Sequence, residues 1–456
     1  IFRSFDHRFD DKGQLISLSA SIQKNNSESD SDFREFLGSA LQLNDILAQD
    51  SENNTIVGKA DYELPIGENS KLEAGYRLDR NHNVYDNDVR TSAVTGTVAQ
   101  LPLFTNNTDY LETFNALYAQ FKSKVGGFGY QLGLRSEFSD IKIDYSNLAG
   151  EAIDKTKKYT NLFPSVYLSY DLGKDNQLLL NYSRRIDRPR SFFMVPYARY
   201  SNNRSIFEGN IDLNPSYVNS FEFGYNISKR KFTLNPTLYY RHTEDDDKML
   251  VYRRNEGENV LYTKPINLGT DSRYGLDFNF TYDPLAWLKL MGNLNLFGYK
   301  TEGIARYTAL DANGNTVERS RDFSGSGFSN MARLTSTFRI DRTFNVQLQG
   351  FYRGGQKTAV QETRPMYAVN LGASKTIWDG NGTIAFNIQD IFNTRNRTVI
   401  SHNEDFDSRS YMQWMPRQAA LTLTYRFRQG EKIEQQQRRK KDINANEQGG
   451  DDMPPM

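Results

Sequence analysis

The chain has 456 residues, 56 basic and 56 acidic side chains, 38% hydrophobic and 13% aromatic residues, and a mean hydropathy of −0.69. Zero cysteines exclude a disulfide framework, a thiolate metal site and a cysteine nucleophile; the balanced charge gives no argument for nucleic acid; and no apolar run of about eighteen residues or more offers a transmembrane helix. A soluble protein this polar would be short of core, and one this aromatic is not disordered, which points to a large β structure whose strands are apolar only at alternate positions.

Alternation is what the chain shows. After a first run (Phe2 to Phe9), Ile16, Leu18, Ala20 and Ile22 face one way with Ser17, Ser19 and Ser21 between them. The same phase recurs at Ala60, Tyr62 and Leu64, at Leu72, Ala74, Tyr76 and Leu78, and at Phe128, Tyr130, Leu132 and Leu134. Period two gives one apolar and one polar face. Phe221, Phe223, Tyr225 and Ile227 continue it, then Phe232, Leu234, Pro236, Leu238 and Tyr240. Tyr274 to Tyr282, Leu288 to Leu296, Phe344 to Tyr352, Tyr367 to Leu371, Ile384 to Ile388 and Ala419 to Phe427 follow. Pro164 and Pro236 lie on apolar faces, where a missing donor should cost a ladder bond.

The connections alternate in length. Short ones, such as 10–13, 65–70, 126–127, 173–176, 228–231, 283–284, 341–343 and 379–382, carry Gly, Pro, Asp, Asn or Ser. The intervening ones are expected as long polar loops: 25–53, 85–108, 146–155, 188–214, 301–317 and 396–408. Two of the three tryptophans, Trp287 and Trp378, sit beside short turns with Phe9, Phe128, Tyr170, Tyr282 and Phe344, as an interfacial belt would. This is the pattern of an antiparallel transmembrane β-barrel. About seventeen strands are predicted over residues 1–428. Bacterial single-chain barrels have an even count, so either the run before Asp10 is not a strand or the barrel begins before Ile1, and the second is the expectation. Residues 429–456 are predicted as a charged, disordered tail.

The stretch Arg185 to Ile227 holds the candidate site. A basic and aromatic loop without period (Arg188, Arg190, Phe192, Phe193, Tyr197, Arg199, Tyr200, Arg204) precedes Glu208-Gly209-Asn210 and Pro215. Guanidinium groups and aromatic faces suit an anionic or aromatic ligand; the alternatives are pairing with outer-leaflet phosphates or packing of the loop on itself. His7, His82, His242 and His402 have no metal-ligand spacing, and Glu244 to Asp247 lack the alternation that aims carboxylates at one ion, so no metal, no cofactor and no catalytic residue is assigned. Gln131, Arg135, Asn181, Glu222, Asp277, Asn279, Asn293 and Gln349 are among the residues expected to point into a wet lumen.

Glu208-Gly209-Asn210-Ile211-Asp212-Leu213-Asn214-Pro215, leading into Ser220 to Tyr225, resembles the Gly-Asn-x-x-Leu-x-Pro segment of TonB-dependent outer-membrane receptors. Asn387 to Thr394 is similar to the family's penultimate strand, and Ala419 to Phe427 to its closing strand, with Tyr425 and Phe427 as the assembly signal. Asn181 to Pro189 narrows the resemblance to the outer-membrane β-barrel family of Bacteroidota. The resemblance implies a twenty-two-stranded barrel with an N-terminal plug and energy-coupled ligand uptake across the outer membrane of a Gram-negative bacterium. The long loops would be extracellular and the tail periplasmic. Its partners would be outer-membrane lipid, the plug, the TonB complex and a surface lipoprotein. No plug or TonB box is found in these residues, and about five strands of such a barrel are missing. The alternative is a non-transporting scaffold for envelope proteins; an enzyme is not expected.

Overall fold

The computed structural model describes residues 1–93, 98–196, 198–202, 204–255, 260–403 and 407–427, with the backbone alone at 93 and 198–202. The predicted tail, 429–456, lies outside the described residues. Seventeen long strands form one antiparallel sheet: β1 (Phe2–Arg8), β2 (Leu15–Leu37), β3 (Ala40–Ile66), β4 (Ser70–Ala93), β5 (Asn106–Val125), β6 (Phe128–Asn147), β7 (Ala152–Asp171), β8 (Asn176–Asp187) and β9 (Ser216–Lys229) make its first half. The second half is β10 (Phe232–Glu244), β11 (Thr270–Leu285), β12 (Leu288–Glu302), β13 (Gly325–Arg339), β14 (Phe344–Arg353), β15 (Met366–Ile377), β16 (Gly382–Gln389) and β17 (Gln418–Tyr425). Each pairs with its neighbours in sequence, and Val98–Gln100 adds a short eighteenth member beside β4. Among the described residues no backbone pairing joins β1 to β17. These are the sheet's two edges, and every residue of both is exposed.

The alternation sets the faces. Leu18, Leu132, Leu134, Phe223, Leu238 and Leu421 stand exposed on the outer face. Their neighbours Ser17, Arg77, Asp79 and Glu137 are buried on the inner one. Cross-strand hydrogen bonds confirm the inner set: Asn293 donates to Asp277 (2.6 Å) and Asn279 (2.8 Å), Gln131 to Gln120 (3.0 Å), and Asn370 to Gln349 (3.2 Å). A tyrosine ring on the outer face fills the gap left by a glycine opposite. Tyr274 pairs with Gly298, where any Cβ would strike the ring.

Pro236 interrupts its ladder as expected: the β9–β10 pairing stops at Gly224↔Thr237 and resumes at Ile227↔Leu234 in the same register. Pro164 is cheaper. The ladder from β7 to β8 begins only at Ser165, so Pro164 has a strand partner on the β6 side alone.

The expected long loops need correction. Residues 25–53 are a continuous ladder from Asn25↔Asn53 to Leu37↔Ala40, and 146–155 shrink to a tight turn between β6 and β7. Strand β3 alone has 27 residues, where about 9–11 cross a bilayer. These ladders project beyond any membrane, so their outer face has no reason to be apolar and the period-two signal fails. In β6 it inverts. Up to Phe138 the outer residues are apolar except Ser136; beyond it Asp140, Lys142 and Asp144 face out, while Ile141, Ile143 and Tyr145 are buried inside. Strand β7 turns at the same level, with Leu162 and then Thr160 and Lys158 outside. An outer-face ion pair, Asp140 with Lys158 at 3.1 Å, marks the water side of that boundary.

The connections on this rim carry their own sheets: one from Ala198–Asn202, Ser205–Glu208, Leu261–Asn267 and Asp247–Tyr252, a hairpin of Ile304–Leu310 with Thr316–Asp322, and a third from Gln356–Lys357, Gln361–Thr363, Arg397–His402 and Asp407–Met412. Leu250, Ala305 and Phe323 give them a small buried core.

Candidate functional site

The loop from β8 to β9 turns inward. Strand β8 leaves β7 after Ser183 but stays paired to β9 as far as Asp187↔Ser216. The chain then crosses the concave face of the sheet. One helical turn, Ser191–Met194, brings Met194 (1% exposed) and Val195 (0%) against Tyr110, Ile141, Ile143 and Tyr145 of β5 and β6. The inverted stretch of β6 therefore has a purpose: its apolar side receives this loop. Leu213 joins the same cluster.

Polar contacts pin the loop on both sides. Arg188 pairs with Glu137 and lies 4.3 Å from the centre of the Phe114 ring. Glu137 also takes a 2.8 Å bond from Arg135, and Arg77 and Asp79 form a buried pair at 2.7 Å nearby. Tyr85 meets Ser191 at 3.1 Å. Lys155 binds Asp212 and holds its carboxyl below the usual range, while Lys157 donates to the Leu213 carbonyl.

Glu208-Gly209-Asn210 closes the loop. The Asn210 amide donates to the Phe193 carbonyl (2.6 Å), its side chain donates to the Pro265 carbonyl (2.9 Å), and its Oδ1 accepts from the Asp212 amide (3.0 Å). A Cβ on Gly209 would overlap the Val195 carbonyl oxygen, so only glycine lets the two strands of the loop pass this closely. Glu208 is buried and accepts from Arg254 and from Tyr252 (2.8 Å). Burial, then the Glu208 charge, pushes the Tyr252 hydroxyl up to about 12.

Between this loop and β2, β3, β4 and β5 lies a pocket of about 260 Å³. Its wall is a block of carboxamides and hydroxyls: Gln23, Asn25, Asn53, Thr55, Asn81 and Asn83. The strand register places them side by side, as Asn25↔Asn53↔Asn83 in one row and Gln23↔Thr55↔Asn81↔Glu112 in the next. Arg188, Pro189, Arg190 and Ser191 form the loop side.

The model of the outer membrane protein beta-barrel family matches residues 7–425. The chain belongs to that family. Solved structures with the same fold include the ferric yersiniabactin uptake receptor FyuA of Yersinia pestis (12% identity, TM-score 0.59, 93% of this chain and 60% of that one). The copper transporter OprC (12%, 0.67, 93% and 65%) and the ferric-catecholate import receptor Fiu of E. coli K12 (13%, 0.63, 93% and 63%) are similar to it in the same way. This chain thus spans about 60–65% of the length of those three proteins. A search of curated proteins finds no match.

Within this outer-membrane β-barrel, the residues picked from sequence divide. Arg188 and Arg190 reach the pocket. Phe192 and Phe193 pack with tilted rings against each other (4.2 Å) and against Phe207, as loop packing. Arg204 reaches Glu35 on the β2 ladder (2.7 Å), tying the loop to the rim. Tyr197 lies outside the described residues, and so do the side chains of Arg199 and Tyr200. The amide wall was missed. The histidines are spread out: His82 meets Asp109 at 2.9 Å, His242 meets Ser272 at 2.9 Å, His402 meets Asp407 at 3.0 Å, and His7 packs on Phe9. In the acidic run, Asp246 is half spent on Lys248 although burial raises its carboxyl, and the Asp245 carbonyl accepts from Ser216 and Asn267. Tyr425 stacks edge-on with Trp378 (5.4 Å) and Phe427 (4.6 Å) at the short-turn end of β17.

Proposed function

We propose that this barrel is the ligand-conducting part of a TonB-dependent outer-membrane receptor, which takes a ligand from outside the cell through its lumen. The observation that supports this reading is the loop 188–214, folded inward over a polar pocket on the concave face rather than standing out in solvent. The proteins with the same fold carry printed names of uptake receptors and a transporter, which agrees with it. In the intact barrel, β1 and β17 are joined through further strands, making twenty-two, with a plug in the lumen. The long ladders face outward from the cell, the short turns and the tail face the periplasm, and Tyr425 and Phe427 guide assembly.

A second reading, a scaffold that holds other surface proteins, draws on the length of β2 to β7 beyond the membrane. One experiment separates them. Mass spectrometry of spent medium compares the parent strain, a strain lacking this barrel and a strain lacking TonB. Uptake predicts one solute left undepleted in both deletions. If no solute differs and other surface proteins vanish from the outer membrane of the barrel deletion, the transport reading is wrong.

A further inference from the structure

We propose that the carboxamide pocket binds a neutral, hydroxyl-rich ligand of the oligosaccharide class; this rests on the ligand-uptake reading above. The charged groups around the pocket, Arg190 included, each face a partner of their own. Glu112 accepts from Tyr110 (2.7 Å) and Asn81 (2.9 Å), and Arg188 is committed to Glu137 and the face of Phe114. On the strand side of the pocket the hydrogen-bonding capacity still open is uncharged. Among the described residues Gln23 and Asn25 make no side-chain hydrogen bond, whereas Asn53 donates to Asn83 and accepts from Thr55 (3.2 Å). Each open carboxamide offers two donors and one acceptor, and neighbouring strands set such groups about 4.8 Å apart.

That arrangement fits groups that donate and accept at once, as sugar hydroxyls do. An anionic chelate would need an unmatched cation to offset its desolvation, and the wall offers carboxamides instead. A peptide would bring side chains requiring apolar subpockets, whereas Phe114, the one aromatic ring lining the pocket, is covered by Arg188. Rows of amides without net charge also predict binding that salt does not weaken.

The test uses the protein purified from outer membranes in a detergent without a sugar headgroup. Calorimetric titration is run with maltohexaose, cellohexaose and an α-mannohexaose, and with ferric citrate and hexaglycine for comparison. At least one hexasaccharide should bind, equally at low and high salt. The Gln23→Ala/Asn25→Ala double variant should weaken it by roughly tenfold or more with an unchanged melting temperature, because neither side chain has an internal partner to lose. Binding of ferric citrate or hexaglycine in place of every saccharide overturns the proposal. So does saccharide affinity that is unmoved in the double variant, or no binding by any probe. The titration needs neither TonB nor an energised membrane, so its failure is distinguishable from failure of the uptake reading.

Discussion

Replacing Phe278 by arginine lowers the stability of the barrel in a lipid bilayer by roughly 2–4 kcal/mol, while arginine at Asn279, the next residue, changes it by less than about 1 kcal/mol. Phe278 lies midway along β11 on the outer face, level with Pro236 on β10 and Leu294 on β12. A guanidinium there must enter hydrocarbon, with no water and no partner. Asn279 sits on the inner face, beside Asn235 and Asn293, where polar groups already bond to one another. Denaturant titration of the refolded protein in vesicles measures both. Equal costs at the two positions would mean that the outer face does not meet lipid.

The second large effect concerns the inward loop. Arg188→Leu removes one of the two guanidinium groups on the Glu137 carboxylate (3% exposed), leaving Arg135 alone, and takes a positive charge from the neighbourhood of the buried Glu112 carboxylate (8%). Removing one member of a buried ion pair costs about 3–5 kcal/mol. The least costly escape is for the loop to leave the concave face and let water in, so the penalty shows as opening of 188–214 rather than unfolding of the sheet. The open population should rise by about a hundredfold or more. Peroxide oxidation of Met194, 1% exposed in the closed loop, is the readout. Arg188→Lys keeps the charge but loses the fork, and should fall between the two. An unchanged oxidation rate in the leucine variant would show that Arg188 does not hold the loop.

The strands were legible wherever a membrane imposes a reason for alternation. Leu132, Leu134 and Phe138 face lipid, and that alone makes β6 readable from residue types. Above Phe138 the same strand turns polar outside and apolar inside, which reads as the end of a strand when it is the start of a binding surface for another segment. Along 24–32 of β2 and 49–54 of β3 every residue is polar, so neither face offers an alternation from which the strand could be read. The Gly209-Asn210 motif could be located from sequence; its role, passing a backbone carbonyl, could not. Met194-Val195, an apolar pair in an arginine-rich loop, was the overlooked sign of a buried anchor. The pocket was illegible because Gln23, Asn53 and Asn83 come from three strands and meet only through register. The clue available was asparagine recurring on the inner phase at 25, 53, 81 and 83.

The absence of cysteine from the chain makes the sidedness of the barrel directly measurable. Single cysteines are placed in two turns of the long-ladder rim (Ser39→Cys, Asn313→Cys) and two of the short-turn rim (Asp175→Cys, Ala286→Cys), then exposed to a membrane-impermeant maleimide. The first pair should label on intact cells and the second only after the outer membrane is permeabilised. Labelling of all four on intact cells, or the reverse order, would contradict a barrel that spans the outer membrane with its inward-folded loop toward the outside.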